Sequence, residues 1–275
     1  MTRVALFQST TGIDPERNAE ALVAAAAEAA SGGAVILFTP EMSNLLDKDS
    51  ARARPKLREQ DDDPVLAACC DAARQNELWI HVGSLGVLTD GGKVANRSFV
   101  IDRTGRIRAH YDKMHLFDVD LPTGESWRES ATYRAGEGAV VVTGTPVGNL
   151  GLTICYDLRF PMLFARLAEA ETDVIAVPAA FTVPTGHAHW HTLLRARAIE
   201  AGLFVVAAAQ VGRHEDGRST FGHSLVVDPW GEVLLDMGDT PGVGFAEIDL
   251  ARISDVRSRI PSLTHRRDIG EVARQ

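Results

Sequence analysis

The sequence lacks most of what would place it outside a reducing, aqueous compartment. Its 275 residues contain three cysteines, Cys69, Cys70 and Cys155. A vicinal pair plus one distant thiol is no disulfide framework, which points to reducing surroundings. Long apolar runs are missing too. AVILF and LFVVAAA are strand-length, well short of the ~20 residues of a membrane span. The opening MTRVALFQST has no apolar h-region and no cleavage pattern, so a cytoplasmic location with no membrane partner is expected. Basic charge is not in excess. A net charge of -9 speaks against a nucleic-acid partner. It leaves room for an anionic substrate, because a few local arginines can override the mean field. No G-x-G-x-x-G follows the first apolar run, which argues against a dinucleotide cofactor. With no repeat, low-complexity linker or charge block, one domain over residues 1–275 is expected.

What is present is ordinary globular composition, 45% hydrophobic and 24% charged, in a chain long enough to bury a sizeable core. Val4–Gln8 reads as a strand. Asp14-Pro15-Glu16 supplies an N-cap, a proline at the first helical position and early acid, and the helix stops at Gly32-Gly33. The strand Ala34–Phe38 leads into Thr39-Pro40-Glu41. A helix over about 64–76 and a strand over Leu78–Gly83 follow. Asp90-Gly91-Gly92 predicts a hairpin between Ser84–Leu88 and Val94–Asp102, and Thr104-Gly105 a turn into Arg106–Tyr111. Residues 112–138 read as a long irregular loop, too apolar for disorder (Met114, Leu116, Phe117, Val119, Leu121, Trp127) and therefore functional. Strands at Val140–Thr143 and Leu150–Cys155 come next, then two helix–strand steps and antiparallel strands to about Ile248. Apolar strands alternating with helices, plus hairpins, imply a mixed α+β sheet fold.

Glu41 and Lys113 each follow a predicted strand, and Cys155 ends one. Catalytic groups in open α/β sheets gather beyond the carboxyl ends of strands. Singly, each has a plain structural explanation: Cys155 as a small buried apolar residue, Glu41 as first-turn helix acid, Lys113 as a solvated loop residue. Together they would bring a carboxylate, an ammonium and a thiol into one crevice.

FTPEM around Glu41, YDKMHLFDVD around Lys113 and GLTICYDLRFP around Cys155 resemble, in order and spacing, the three signature motifs of the nitrilase (carbon–nitrogen hydrolase) superfamily. The likeness runs from Arg3 to about Arg267. GHAHWHTLLRARAIE and GHSLVVDPWGEV are further family-like stretches. Met162 departs from the pattern, since glutamate commonly follows RFP. The resemblance implies a four-layer αββα sandwich that dimerises into αββα–αββα. It implies a Glu–Lys–Cys triad at Glu41, Lys113 and Cys155, with Glu129 holding the lysine, and it requires neither metal nor cofactor. Glu41 would take the Cys155 proton. Lys113 and the Tyr156 backbone N–H would stabilise the oxyanion, and a thioester would form and be hydrolysed. Within the superfamily, AAAQVGRHEDGRSTFGHSLVVDPWGEV and His265–Arg267 most resemble the deaminated-glutathione amidase branch, with omega-amidases next. The implied substrate is a small amide that also carries a carboxylate. Arg213 and His214, in the loop after Gln210, are the expected groups to meet it.

Three other features have plainer readings. His187, His189 and His191 cannot all share a helix face, and packing explains them better than a metal. Cys69-Cys70 lies in a predicted helix without C-x-x-C spacing. Arg195 and Arg197, also helical, read as ion-pair partners.

Overall fold

The computed structural model describes residues 1–120, 124 and 126–274. Leu121 of the central segment lies outside them. The first half runs β1 (Thr2–Gln8), α1 (Pro15–Ser31), β2 (Ile36–Phe38), the single turn α2 (Ser50–Ala53), α3 (Pro64–Gln75), β3 (Trp79–Leu88), β4 (Val94–Ile101), β5 (Ile107–Asp112), β6 (Asp118–Asp120), β7 (Ser126–Arg128) and β8 (Tyr133–Arg134). The second runs β9 (Val140–Thr145), β10 (Gly148–Leu152), α4 (Pro161–Glu169), β11 (Val174–Ala176), α5 (Val183–Ala201), β12 (Phe204–Ala207), β13 (Val211–Arg213), β14 (Ser219–Phe221), β15 (Leu225–Val227), β16 (Val233–Asp236), β17 (Gly242–Ile248) and α6 (Ala251–Arg259).

Two large sheets result. One has the order β17-β1-β2-β3-β4-β5, with β8 on β4; the other is β16-β15-β12-β11-β10-β9. Each has a parallel centre (β1-β2-β3 and β10-β11-β12) flanked by antiparallel strands. Alternation along the strands decides the layering. Val4, Leu6, Ile36 and Phe38 belong to the same buried cluster as Leu150, Leu152 and Val174, so the two sheets face each other. Ala5 and Leu37, on the opposite face, pack with Leu22, Ala26, Leu66 and Ala73 of α1 and α3. On the second sheet, a Cβ at Gly151 would touch Leu167 of α4, which places α4 on the outer face. The order of layers is helices, sheet, sheet, helices, as the resemblance implies.

The helix starts follow their caps. The Asp14 carboxylate accepts from Glu16 N–H at the head of α1, and Asp63 accepts from Val65 and Leu66 at the head of α3. Cys69 is buried in α3, and burial pushes its thiol well above the ordinary range, which suits packing. Several expectations are revised. The predicted strands Leu78–Gly83 and Ser84–Leu88 are one strand, β3, with its register shifted between Val82 and Leu85. Gly83 sits in that irregularity because any Cβ there would meet the Thr39 carbonyl oxygen at 2.0 Å. The supposed loop 112–138 contains the β6–β7 hairpin and a turn at Glu129–Ala131. Helix α6 had no expectation at all.

Candidate active site

Glu41, Lys113 and Cys155 meet at the seam between the sheets. Glu41 follows β2 and Lys113 follows β5, both from the first sheet; Cys155 follows β10 of the second. All three are buried. Lys113 Nζ lies 2.9 Å from Glu41 Oε1 and 2.9 Å from Glu129 Oε2. Asn96 Nδ2 donates to Glu41 at 2.9 Å and to Glu129 at 3.2 Å, so both carboxylates share the same two donors. The Ala180 backbone N–H donates to Glu41 Oε2 at 3.0 Å, which leaves that carboxylate little freedom to turn. Phe117 N–H donates to Glu129 at 2.6 Å. Glu129 therefore anchors the loop as well as the lysine.

Cys155 opens a short turn, Cys155–Arg159, in a left-handed backbone conformation (φ 49°). Such a φ is uncommon for a side-chain-bearing residue and persists only where neighbours enforce it. Here Cys155 N–H donates to Pro178 O at 2.8 Å, and the Asp157 carboxylate accepts from Ile154 N–H at 2.8 Å. Asp157 is fully buried and also accepts from Tyr111 Oη (2.7 Å) and His115 N–H (3.1 Å), with His115 Nδ1 at 2.7 Å. One carboxylate thus ties the turn bearing Cys155 to the segment bearing Lys113. Asp157→Asn is expected to lower the unfolding free energy by about 3 kcal/mol, since an amide cannot accept all of these bonds. It should also reduce kcat more than it raises KM. Denaturant melts and steady-state kinetics check the pair, and an unchanged kcat in a destabilised protein would leave Asp157 a purely structural tie.

The charges can be assigned. Burial alone would raise the Glu41 carboxyl, but the Lys113 ammonium and hydrogen bonds from Lys113, Cys155 and Asn96 hold it below the ordinary range. Burial works against the charged Lys113, yet Glu129 and Glu41 keep it protonated, well above its ordinary value. Burial and the adjacent Glu41 push the Cys155 thiol well up, against the opposing pull of Lys113 and the Ala180 N–H. At neutral pH the site holds a thiol, a carboxylate base beside it and an ammonium.

These groups open onto a cavity of about 990 Å³, at the upper end of small-ligand sites. Tyr156, Trp127, Arg159, Arg218, Lys48 and Arg54 are among its lining. The structure does not bring Arg213 or His214 there. Both lie on the β13–β14 hairpin, where Arg213 points into solvent and His214 is buried. The His214 ring is engaged on both sides, by Thr11 O at 2.9 Å and Thr220 Oγ1 at 2.8 Å. The cation that faces the cavity from this hairpin is Arg218, paired with Asp216 at 2.6 Å and placed over Trp127. Arg159 has no carboxylate partner among the described residues and lies over the rings of Tyr156 and Phe181. Arg197 is structural: it donates to Leu158 O and pairs with Glu200.

The carbon–nitrogen hydrolase family model matches residues 3–258. The chain belongs to that family. This carbon–nitrogen hydrolase is 38% identical over 272 residues to a deaminated glutathione amidase of Yersinia enterocolitica, covering 98% of the chain and 94% of the relative. Among solved structures, the C. elegans NitFhit protein superposes with a TM-score of 0.89 at 36% identity. That match covers 97% of this chain but 65% of the other, so this hydrolase spans about two-thirds of the NitFhit chain. A mutant amidase from Nesterenkonia sp. AN1, solved with the acetamide moiety of fluoroacetamide on its active-site cysteine, gives a TM-score of 0.81 at 26% identity, with 97% and 94% coverage.

Asn96, Asp157 and the Ala180 N–H escaped the sequence reading. For Asn96 a signal existed: a polar amide inside the apolar strand VANRSFVI must find buried partners. For a backbone N–H there was none.

Proposed function

We propose that this carbon–nitrogen hydrolase cleaves the terminal amide of a small, carboxylate-bearing compound, with Cys155 as nucleophile, Glu41 as general base and Lys113 as oxyanion donor. The observation that carries the proposal is the buried Glu41–Lys113 ion pair lining, together with Cys155, one wall of the cavity. Sulfur attacks the amide carbon while Glu41 takes the thiol proton. The carbonyl oxygen, now negative, is met by the Lys113 ammonium and by the Tyr156 N–H, which lies ahead of its turn's first bond (Asp157 N–H to Ile154 O). Glu41 hands its proton to the departing nitrogen, ammonia leaves, and a thioester remains. Water, deprotonated by Glu41, then attacks the thioester carbon, the acid is released, and Glu41 returns the proton to the departing sulfur. Glu129 keeps Lys113 charged and in place; no cofactor enters these steps.

The relative's name, the generous cavity and the cations lining it together favour an acyl group longer than acetamide that ends in a carboxylate. Arg159, four residues after the nucleophile, replaces Arg213 as the expected anchor, and Lys48 and Arg54 offer positive charge farther along the wall. Ammonia release from deaminated glutathione, α-ketoglutaramate, neutral amides, nitriles and carbamoyl amines tests the class. Fast nitrile hydrolysis with negligible amide hydrolysis would overturn it. Arg159→Ala is expected to lower kcat/KM on the carboxylate-bearing amide by about 10- to 100-fold, the worth of a charge-assisted hydrogen bond, and to spare a neutral amide of similar size. Equal losses on both would remove Arg159 from the anchor role.

The proposed assembly is a homodimer acting in the cytoplasm. Exposed Ile199 of α5 and Trp230 and Val233 at the β15–β16 turn give an apolar face for a second copy. Among the described residues, no helix is long and apolar enough to cross a membrane.

A further inference from the structure

Outside the cavity, three side chains with metal-ligating atoms converge. His191 comes from α5, His223 from the link between β14 and β15, and Asp236 from the end of β16. His191 Nε2 lies 2.9 Å from one Asp236 oxygen, and His223 Nδ1 lies 2.8 Å from the other. All three ligand atoms fall within 4.8 Å of one another. A tetrahedral ion with bonds of ~2.0–2.2 Å holds its ligands roughly 3.4 Å apart. Small side-chain rotations close the difference.

The backbone holds one of these rings in place at some cost. Gly222 (φ 75°) is followed by His223 (φ 56°), two left-handed residues in succession, the second not a glycine. His223 N–H donates to Gly238 O at 2.7 Å, its carbonyl accepts from Trp190 Nε1 at 2.8 Å, and its ring stacks on Phe221 with centroids 4.4 Å apart. Everything around His223 aims Nδ1 at Asp236. The three side chains are 27–38% exposed, so an ion can reach them from solvent. His187, one turn earlier on α5, packs edge-on against Phe221, as the packing reading expected.

We propose that His191, His223 and Asp236 form a binding site for a borderline divalent transition metal such as zinc, with water completing the shell. Two imidazoles and one carboxylate suit that class over magnesium or calcium, which take oxygen donors. Metal binding requires an unprotonated ring nitrogen from each histidine, and the contacts of both rings with Asp236 give way to metal–ligand bonds. None of the three residues lines the cavity, and the ion's effect is to tie α5 to β16. Helix α5 packs on β14, whose Thr220 does line it.

The test is cobalt(II) titration of the metal-free full-length protein, read by electronic absorption. Expected are ligand-field bands that saturate at about one ion per chain. The sulfur-to-cobalt charge-transfer band of a thiolate ligand should be absent. Zinc at about 100-fold over its Kd should raise Tm by about 5 °C. His223→Gln and Asp236→Asn should each abolish both signals while ammonia release stays at the level of the metal-free parent. If one variant fails to fold, the other and His191→Gln carry the same test. Absent or unsaturable bands, a sulfur charge-transfer band, or bands that survive these substitutions would reduce the cluster to a hydrogen-bonded bridge.

Discussion

Replacing Cys155 by alanine is expected to lower kcat by about 10⁶-fold, the scale seen when a nucleophile is removed from a preorganised catalytic unit. The fold should survive, because the change trims one buried atom in the turn after β10 and leaves the anchoring bonds made by Cys155 N–H and Asp157 intact. Circular dichroism and ammonia release separate the two effects. Mass spectrometry of the parent protein with a poor substrate should place an acyl group on the peptide containing Cys155 rather than on that containing Cys69 and Cys70. Retained turnover in the alanine variant would remove Cys155 from the chemistry.

Glu41→Gln should cost about 10⁴-fold in kcat, the upper range for a general base, with KM little changed. Glutamine keeps the shape but cannot take the thiol proton, and Lys113 keeps Glu129 as its carboxylate partner. A rise in KM alone would make Glu41 a substrate contact. The pH profile carries a sign of its own. Because the folded site holds the Glu41 carboxyl below the ordinary glutamate range, the base stays ionised as pH falls through that range. The acid limb of kcat/KM should therefore lie below it. An acid limb at higher pH would mean that another group is being protonated.

How much of this was legible in the sequence depends on the kind of information needed. Asp14, Asp63 and Gly32-Gly33 mark helix ends by local chemistry, so those ends were readable residue by residue. Glu41, Lys113 and Cys155 were readable as strand-end positions because the apolar runs before them are short and well bounded. Their convergence follows from sheet pairing, which no local signal carries; the likeness of three ordered motifs supplied it. Arg213 and Arg218 show where such reading stops. Both sit on one hairpin rich in charge, and the pairing Arg213↔Ser219 sends the first into solvent while Arg218 reaches the cavity. A shift of one residue in register would exchange such faces, and composition is blind to it. Asp157 was invisible for a related reason: its importance lies in accepting bonds from Tyr111 and His115, more than forty residues away in the chain.

The place of β17 has a consequence for how the protein is made. Strand β1 lies between β2 and β17, which is separated from it by more than two hundred residues and is the last strand among the described residues. Until Ile248 is synthesised, one edge of β1 has no neighbour, and the sheet that carries Glu41 and Lys113 stays open on that side. Nascent chains should therefore remain protease-sensitive and dependent on holding factors until β17 has emerged, and gain activity only after it has paired with β1.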